Sequence, residues 1–407
     1  MKILMVNKFL YPRGGAESYM LKLGDCLKGL GHEVQYFGMF DEKNTVGNNA
    51  HEYTSNKDFH TSSLKKLAYP FKIIYSSEAK KKIEKVLADF KPDIVHMNNI
   101  NFQLTPSIID AVKKRNIPLV QTVHDFQIVC PNHLLYDFNN DKTCVKCINS
   151  NKLHCIKNKC VHKSLVKSII ASAEAYFYKI KGTYKKVDKF ICPSSFLEVK
   201  LLEDKPDTFY GKTVVIHNFA EKHKLPDNAR SNFDYPYVSF AGRLSAEKGV
   251  KLLAETAKLL PDINFVVMGN GPEEKAFEGL NNVKLTGFLT GDELNTNIAF
   301  SEVIAVPSVC FENCPLSILE AQDYGVPAVT QNFGGMAELV RDNETGILSE
   351  EATPKEFSKA IRKAIDNKEL LLKMKANCIE ESKRAISIEE YCNRVIKIYG
   401  ELIIENG

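Results

Sequence analysis

Two carboxylates and two cations carry the chemistry legible in this chain. Glu312 and Glu320 lie eight apart in Phe311-Glu312-Asn313-Cys314-Pro315-Leu316-Ser317-Ile318-Leu319-Glu320-Ala321. Upstream, Arg243 and Lys248 are flanked by glycines in Ala241-Gly242-Arg243-Leu244-Ser245-Ala246-Glu247-Lys248-Gly249. A guanidinium grips phosphate oxygens through two parallel N–H bonds, and a lysine adds a compact charge. Ionised carboxylates accept hydrogen bonds from sugar hydroxyls. The set points to a nucleotide-sugar held at its diphosphate and at its hydroxyls. Singly, each residue would be an ordinary solvated charge; only the combination carries the reading.

Each of these residues falls where a secondary-structure element would present it. Arg243 and Lys248 follow the strand-like run Tyr237–Ala241. Pro315 cannot continue a helix from upstream but suits a first turn. A helix starting there leaves the N–H groups of Leu316 and Ser317 open to a phosphate or sugar oxygen. Glu312 then precedes the helix and Glu320 lies inside it. Gly14-Gly15-Ala16-Glu17 follows the first apolar run and opens a helix expected over residues 16–30, so backbone and helix N-terminus can approach an anion. The full G-x-G-x-x-G fingerprint of nicotinamide enzymes is absent there, which argues against a dehydrogenase. Val266-Val267-Met268-Gly269-Asn270-Gly271-Pro272 is a second strand-to-glycine turn, in which Gly269 would border the nucleotide base. His124-Asp125 closes the apolar run 119–123, a strand-end position from which His124 could donate to a sugar hydroxyl.

The elements that must position these residues are themselves regular. Short Val- and Ile-rich runs alternate with helical patterns: residues 3–6, 34–37, 94–97, 119–123 and 190–192, then 237–241, 265–268, 283–285, 303–306 and 328–330. Such alternation predicts parallel strands with crossover helices. The rhythm lapses over 221–235, a Pro-, Asp- and Asn-rich linker. The expected architecture is α/β: two doubly wound, Rossmann-like domains (1–220 and 236–387) facing each other across a cleft, with ligands beyond the carboxyl ends of the strands. The helix 388–407 is expected to cross back onto the first domain. A chain of 407 residues has length for two cores. Its net charge of +4 does not point to nucleic acid. The first apolar run is too short for a signal peptide and no run approaches a membrane span, so a cytoplasmic location is expected.

In ordered combination these motifs resemble retaining family 4 glycosyltransferases of the two-Rossmann-domain (GT-B) type, over nearly the whole chain. The markers are Gly14-Gly15-Ala16-Glu17, His124-Asp125, Gly242-Arg243 with Glu247-Lys248-Gly249, Glu312 with Glu320, and Asn332-Phe333-Gly334-Gly335. The resemblance implies that Gly14 and Gly15 border the donor diphosphate and that Arg243 and Lys248 bind it. It implies that Glu312 holds a hydroxyl of the transferred sugar, and that the backbone of Asn313, Cys314, Pro315, Leu316 and Ser317 meets sugar and phosphate. Glu320 would bind the ribose and His124 would lie near the sugar. It further implies transfer with retention, no metal required for catalysis, a UDP- or GDP-linked donor, and a glycan or lipid-linked acceptor in capsule, exopolysaccharide or O-antigen assembly. His217-Asn218-Phe219-Ala220 departs from the family, where many members have Asn-Gly, so no substrate contact is assigned there. A sugar-nucleotide epimerase and a non-catalytic nucleotide-sugar binder on the same fold are the alternatives.

Two features stand outside that site. Cys130, Cys144, Cys147, Cys155 and Cys160 crowd the segment 130–162 with three histidines, and Cys144-Val145-Lys146-Cys147 is a C-x-x-C pair. The pattern reads first as a structural zinc on Cys130, Cys144, Cys147 and Cys160, with Cys155 next; disulfides and free thiols are the other readings. Lysines dominate 163–189 beside an apolar face (Ile169, Ile170, Ala173, Tyr176, Phe177, Ile180), and Lys80-Lys81-Lys82 with Lys85 form a second basic stretch; a core-packed helix with a solvated lysine face is one reading. A basic amphipathic helix can rest on an anionic membrane, here at its inner face.

Overall fold

The computed structural model describes residues 1–56, 73–219, 222 and 224–406. They fall into two units. The first contains Met1–Leu135, Cys144–Asn218 and the helix Ile388–Asn406; the second contains Tyr136–Thr143 and Phe219–Ser387.

The first unit is built on a parallel sheet. Its strands β1 (Lys2–Val6), β2 (Glu33–Phe37), β3 (Ile94–Met97) and β4 (Leu119–Thr122) are the runs expected from sequence. After them come the short hairpin β5 (Tyr136–Asp137) and β6 (Lys142–Thr143), then β7 (Lys189–Cys192) and β8 (Thr213–Val215). The sheet order is β2-β1-β3-β4-β7-β8. β3 and β4 are buried along their whole length, as strands covered by helices on both faces must be. The first crossover helix runs Gly15–Gly29, starting one residue before the expected Ala16. The lysine-rich helix Leu165–Lys181 is closed at both ends. The Ser164 side chain accepts from the Lys167 N–H, and Gly182 ends the helix at φ 62°, a left-handed turn that glycine adopts without strain.

The second unit repeats the plan with β9 (Tyr237–Ala241), β10 (Asn264–Met268), β11 (Val283–Gly287), β12 (Val303–Val306), β13 (Ala328–Gln331) and β14 (Gly346–Ser349). The order β11-β10-β9-β12-β13-β14 places the reversal of winding between β9 and β12. In the first sheet the corresponding reversal lies between β1 and β3. In doubly wound sheets ligands sit beyond the strand ends at such a switch point. Val238, Val267, Val303 and Val329 from four of the strands pack under Leu253, Phe357 and Ile361 of the covering helices.

Three expectations about organisation change. The segment 130–162 is not one insertion in the first domain, because its hairpin β5–β6 belongs with the second unit. Tyr136 is buried there, and the Cys310 and Glu247 side chains act on its hydroxyl. The linker expected over 221–235 starts on Glu221, outside the described residues, and Phe219 already counts with the second unit. The second basic stretch is partly neutralised, since Lys82 and Lys85 both pair with Glu52.

Candidate functional site

The loops after β9 and β12, on either side of the switch point, hold the charged residues together. After Ala241 the chain turns through Gly242 and Arg243 into a single 3-10 turn, Ala246–Lys248, ended by Gly249 at φ 72°. A Cβ on Gly249 would lie 1.9 Å from the Pro307 carbonyl oxygen, so glycine alone lets this loop press against the end of β12. The Val309 N–H then donates to the Glu247 carbonyl at 3.1 Å. This docking brings the Lys248 ammonium onto Glu312 Oε1 at 2.6 Å, where the Ser308 hydroxyl also donates at 2.8 Å.

The electrostatics of the pair follow from burial and from each other. Burial works to raise the Glu312 carboxyl, but the Lys248 charge and the hydrogen bonds from Lys248 and Ser308 outweigh it, leaving its pKa below the usual carboxylate range. Burial works to lower Lys248, but Glu312 leads the carboxylates and thiols that raise it. Both are therefore charged at neutral pH. Each keeps open surface, 35% of the Lys248 side chain and 15% of Glu312, enough for a ligand to reach the pair.

Asn332-Phe333-Gly334-Gly335 fixes the Glu312 loop from behind. The Gly335 N–H donates to the Glu312 carbonyl at 2.8 Å, and a Cβ on Gly335 would fall 1.5 Å from the Asn313 carbonyl oxygen. Phe311 and Phe333 meet edge to face at 5.4 Å. The helix Leu316–Asp323 starts directly after Pro315, as expected, so the Leu316 and Ser317 N–H groups fall in its first turn and Glu320 lies half-buried beyond it. Cys314 is buried, and Asn313 sits at the bend before Pro315. Arg243 is exposed in the neighbouring loop. Gly269 supports this loop: its N–H donates to the Gly287 carbonyl at 2.7 Å, and a Cβ there would strike the Gly242 carbonyl oxygen at 1.9 Å. The arrangement offers cations for an anionic diphosphate, a carboxylate for hydroxyls and open helix N–H groups for oxygens.

The first unit holds a second, neutral constellation at the ends of β1, β3 and β4. His124 Nε2 shares a hydrogen bond with Asn98 Oδ1 at 2.9 Å, and Tyr19 meets the imidazole edge to face at 4.9 Å. The Tyr19 hydroxyl is 3.0 Å from Thr122 Oγ1 and 2.8 Å from the Tyr391 hydroxyl. His96 bridges Thr122 Oγ1 at 2.7 Å and the Tyr399 hydroxyl at 2.5 Å. Burial pushes His96 down to about 3 and His124 down to about 4, against the pull of Asp125 on the latter. Both imidazoles are neutral at physiological pH. Gly14 caps the helix that carries Tyr19, and Gly14 and Gly15 are both exposed. Ser308, Asn98 and Tyr19 were not among the expected site residues; Ser308 and Asn98 each sit just past a strand end, the signal that would have found them.

The cysteines of 130–160 lie close together in the fold, with Cys130 and Cys160 each acting electrostatically on Cys147 and Cys155 or acted on by them. Cys147, Cys155 and Cys160 pack together with Val161, whereas Cys144 stays partly exposed. Cys155 sits in the short helix Leu153–Lys157, and the Cys160 N–H folds back onto the Cys155 carbonyl at 3.0 Å. Cys130 instead donates its thiol to Asn132 Oδ1 at 2.9 Å. Among the described residues no three His, Cys, Asp or Glu side chains are placed to hold a metal ion.

Comparison with known proteins bears on both units. The family model for glycosyl transferases group 1 matches residues 221–384, and that for Glycosyltransferase Family 4 matches residues 13–222, more than half of the chain. An uncharacterised 42.6 kDa protein in the cps region of Klebsiella pneumoniae is 25% identical over 84% of this chain and 88% of its own. The UDP-Gal:alpha-D-GlcNAc-diphosphoundecaprenol alpha-1,3-galactosyltransferase of Escherichia coli is 28% identical over 45% of this chain and 49% of its own. Among solved structures, Anabaena HepE in complex with UDP superposes with a TM-score of 0.68 at 17% identity, covering 98% of this chain and all of the other. With two doubly wound domains and the charged loops at the second switch point, the chain belongs to the family 4 glycosyltransferases of GT-B fold.

Proposed function

We propose that this glycosyltransferase transfers a sugar from a nucleoside-diphosphate sugar, with retention of configuration, to a glycan or lipid-linked acceptor in surface-polysaccharide assembly. The observation that carries the donor assignment is the 2.6 Å pairing of Lys248 with Glu312 beside exposed Arg243 and ahead of the helix Leu316–Asp323. A diphosphate leaving group gathers negative charge as the glycosidic bond breaks. Lys248, Arg243 and the helix N–H groups would stabilise that charge, and the reading needs no resident metal for it. Glu312, held ionised, accepts from a sugar hydroxyl and fixes the ring. His124 is neutral at working pH and is assigned a hydrogen-bonding role rather than proton transfer. No residue is assigned as a general base; in a front-face reaction the departing phosphate takes the acceptor proton. UDP is the first nucleotide to test, because HepE was solved with UDP and the E. coli relative is named for UDP-Gal. The Klebsiella relative's cps location and the other's diphosphoundecaprenol-linked acceptor support the surface-glycan reading.

The test is a thermal-shift screen against UDP, GDP, ADP and their sugar conjugates, followed by anomer-resolved analysis of product made in chelator. A ligand bound only by the folded state raises the melting temperature by mass action. A shift with one nucleotide family and a product of unchanged anomeric configuration are expected. No shift with any nucleotide would sink the donor assignment, and an inverted product would sink retention.

A further inference from the structure

The helix Leu165–Lys181 exposes an apolar ridge that an ordinary surface helix would bury. Its outward face is apolar: Leu165, Val166, Ile169, Ala173, Phe177 and Ile180 are all exposed, with Val166 at 64% and Ile180 at 85%. Steps of four and three residues from Leu165 through Ile169, Ala173 and Phe177 to Ile180 align them in one ridge. Its inward face carries Ser168, Ala171, Ser172, Glu174 and Tyr178, all buried, and Glu174 is the only carboxylate of the helix. The same helical spacing puts Lys179 at one edge of the ridge and Lys181 at the other. Lys163, Lys167 and Lys185 are exposed close by. Lys181 also stacks over the Phe177 and Tyr75 rings and pairs with Asp110. Scattered apolar side chains need no explanation, but a continuous ridge of them rimmed by one sign of charge marks a contact surface.

We infer that this face is a docking surface for an anionic phospholipid bilayer, lying flat in the headgroup region with the lysines at its rim. Charge selects the occupant, since exposed lysines flank the ridge and the helix shows no exposed carboxylate. Length excludes a span: seventeen residues rise only about 25 Å, and among the described residues no helix is long and apolar enough to cross a membrane. Shape separates it from a protein interface. A single convex ridge gives a line of contact, whereas standard protein interfaces engage about 20–30 residues a side; a bilayer closes around a ridge by letting it sink in. The benefit to a transferase with a lipid-linked acceptor rests on the function proposed above. Vesicle binding does not, so either can fail alone.

The experiment is co-sedimentation of the full chain with vesicles of phosphatidylglycerol and phosphatidylcholine against vesicles of phosphatidylcholine alone. Binding to the anionic vesicles, weakened by salt, is expected, with at least tenfold loss in the double variant Ile169→Glu, Ile180→Glu. Tyr210→Glu, at a position 85% exposed elsewhere in the first unit, should bind as the wild type does. Cooperative melting and far-UV circular dichroism of all three proteins, neither of which needs a nucleotide, report that each is folded. Equal binding by the double variant would overturn the inference, as would equal binding to neutral vesicles or none to either. A wild-type dimer that the double variant converts to monomer would also overturn it, reassigning the ridge to contact between copies.

Discussion

The two switch points of this molecule carry opposite kinds of polar chemistry. In the second unit the loops after β9 and β12 present full charges, Lys248 on Glu312 at 2.6 Å, with surface left open. In the first unit the ends of β3 and β4 carry His96, Thr122 and His124 in a network of neutral groups, joined through Tyr19 to Tyr391 and closed by Tyr399. The same doubly wound plan thus yields an anion-gripping site in one place and an uncharged hydrogen-bonding one in the other. Burial and partners decide which. A cation beside a carboxylate keeps both ionised, whereas imidazoles buried among hydroxyls stay neutral. The lesson is that the topology supplies the position and the local pairing supplies the charge.

The contrast is broken most directly at Glu312. Glu312→Gln keeps the shape but removes the charge that holds Lys248, and transfer should fall on the order of 10²-fold, as when one positioned polar group is removed from a reacting centre. Steady-state kinetics check this, and an unchanged rate would take Glu312 out of the site. The pH dependence of stability should separate the two regions next. A histidine held neutral, with its pKa lowered from 6.5 to about 4, destabilises the fold as pH drops, because the unfolded chain takes up the proton first. His124 therefore costs stability between pH 6.5 and 4, and buried His96 adds to the same slope. Glu312 has a lowered pKa, so its contribution is present above 4.5 and lost only as pH falls through its still lower folded value. Melting temperatures from pH 7 downward should fall less steeply in His124→Asn than in wild type, while Glu312→Gln keeps the wild-type slope above 4.5. An unaltered slope in His124→Asn would mean that His124 is not held neutral. The smallest effect is expected from Tyr391→Phe, which deletes one hydroxyl from the neutral network. It should lower unfolding free energy by about 1 kcal/mol, the net worth of one hydrogen bond, measured by urea titration.

Much of this was legible from residue types. β1, β10 and β12 are nearly all Val, Ile, Leu, Met, Phe and Ala because both faces of a covered parallel strand are buried. β8 and β14 are too short of apolar residues to stand out. Thr213–Val215 is only three residues long and half-buried, and Gly346–Ser349 carries just two apolar residues between its glycine and serine. The hairpin β5–β6, with two residues a strand, is shorter than any periodicity. Lys248 and Glu312 could be named as charges of the right kind. Their contact could not, because it depends on Gly249 fitting under Pro307, a fit between distant segments. The fold-back of Cys160 onto Cys155 is likewise a turn that no cysteine spacing announces.

The helix Ile388–Asn406 has a consequence for synthesis. Its Tyr391 and Tyr399 complete the hydrogen bonding of Tyr19 and His96, residues translated long before it. The whole of Phe219–Ser387 is made in between. At translation rates of about 5–20 residues per second, the first unit waits on the order of ten seconds or more for its last piece. During that interval Tyr19 and His96 face water, or whatever else binds there. A nascent chain stalled before Ile388 should therefore be protease-sensitive in its first unit even after its second has begun to fold.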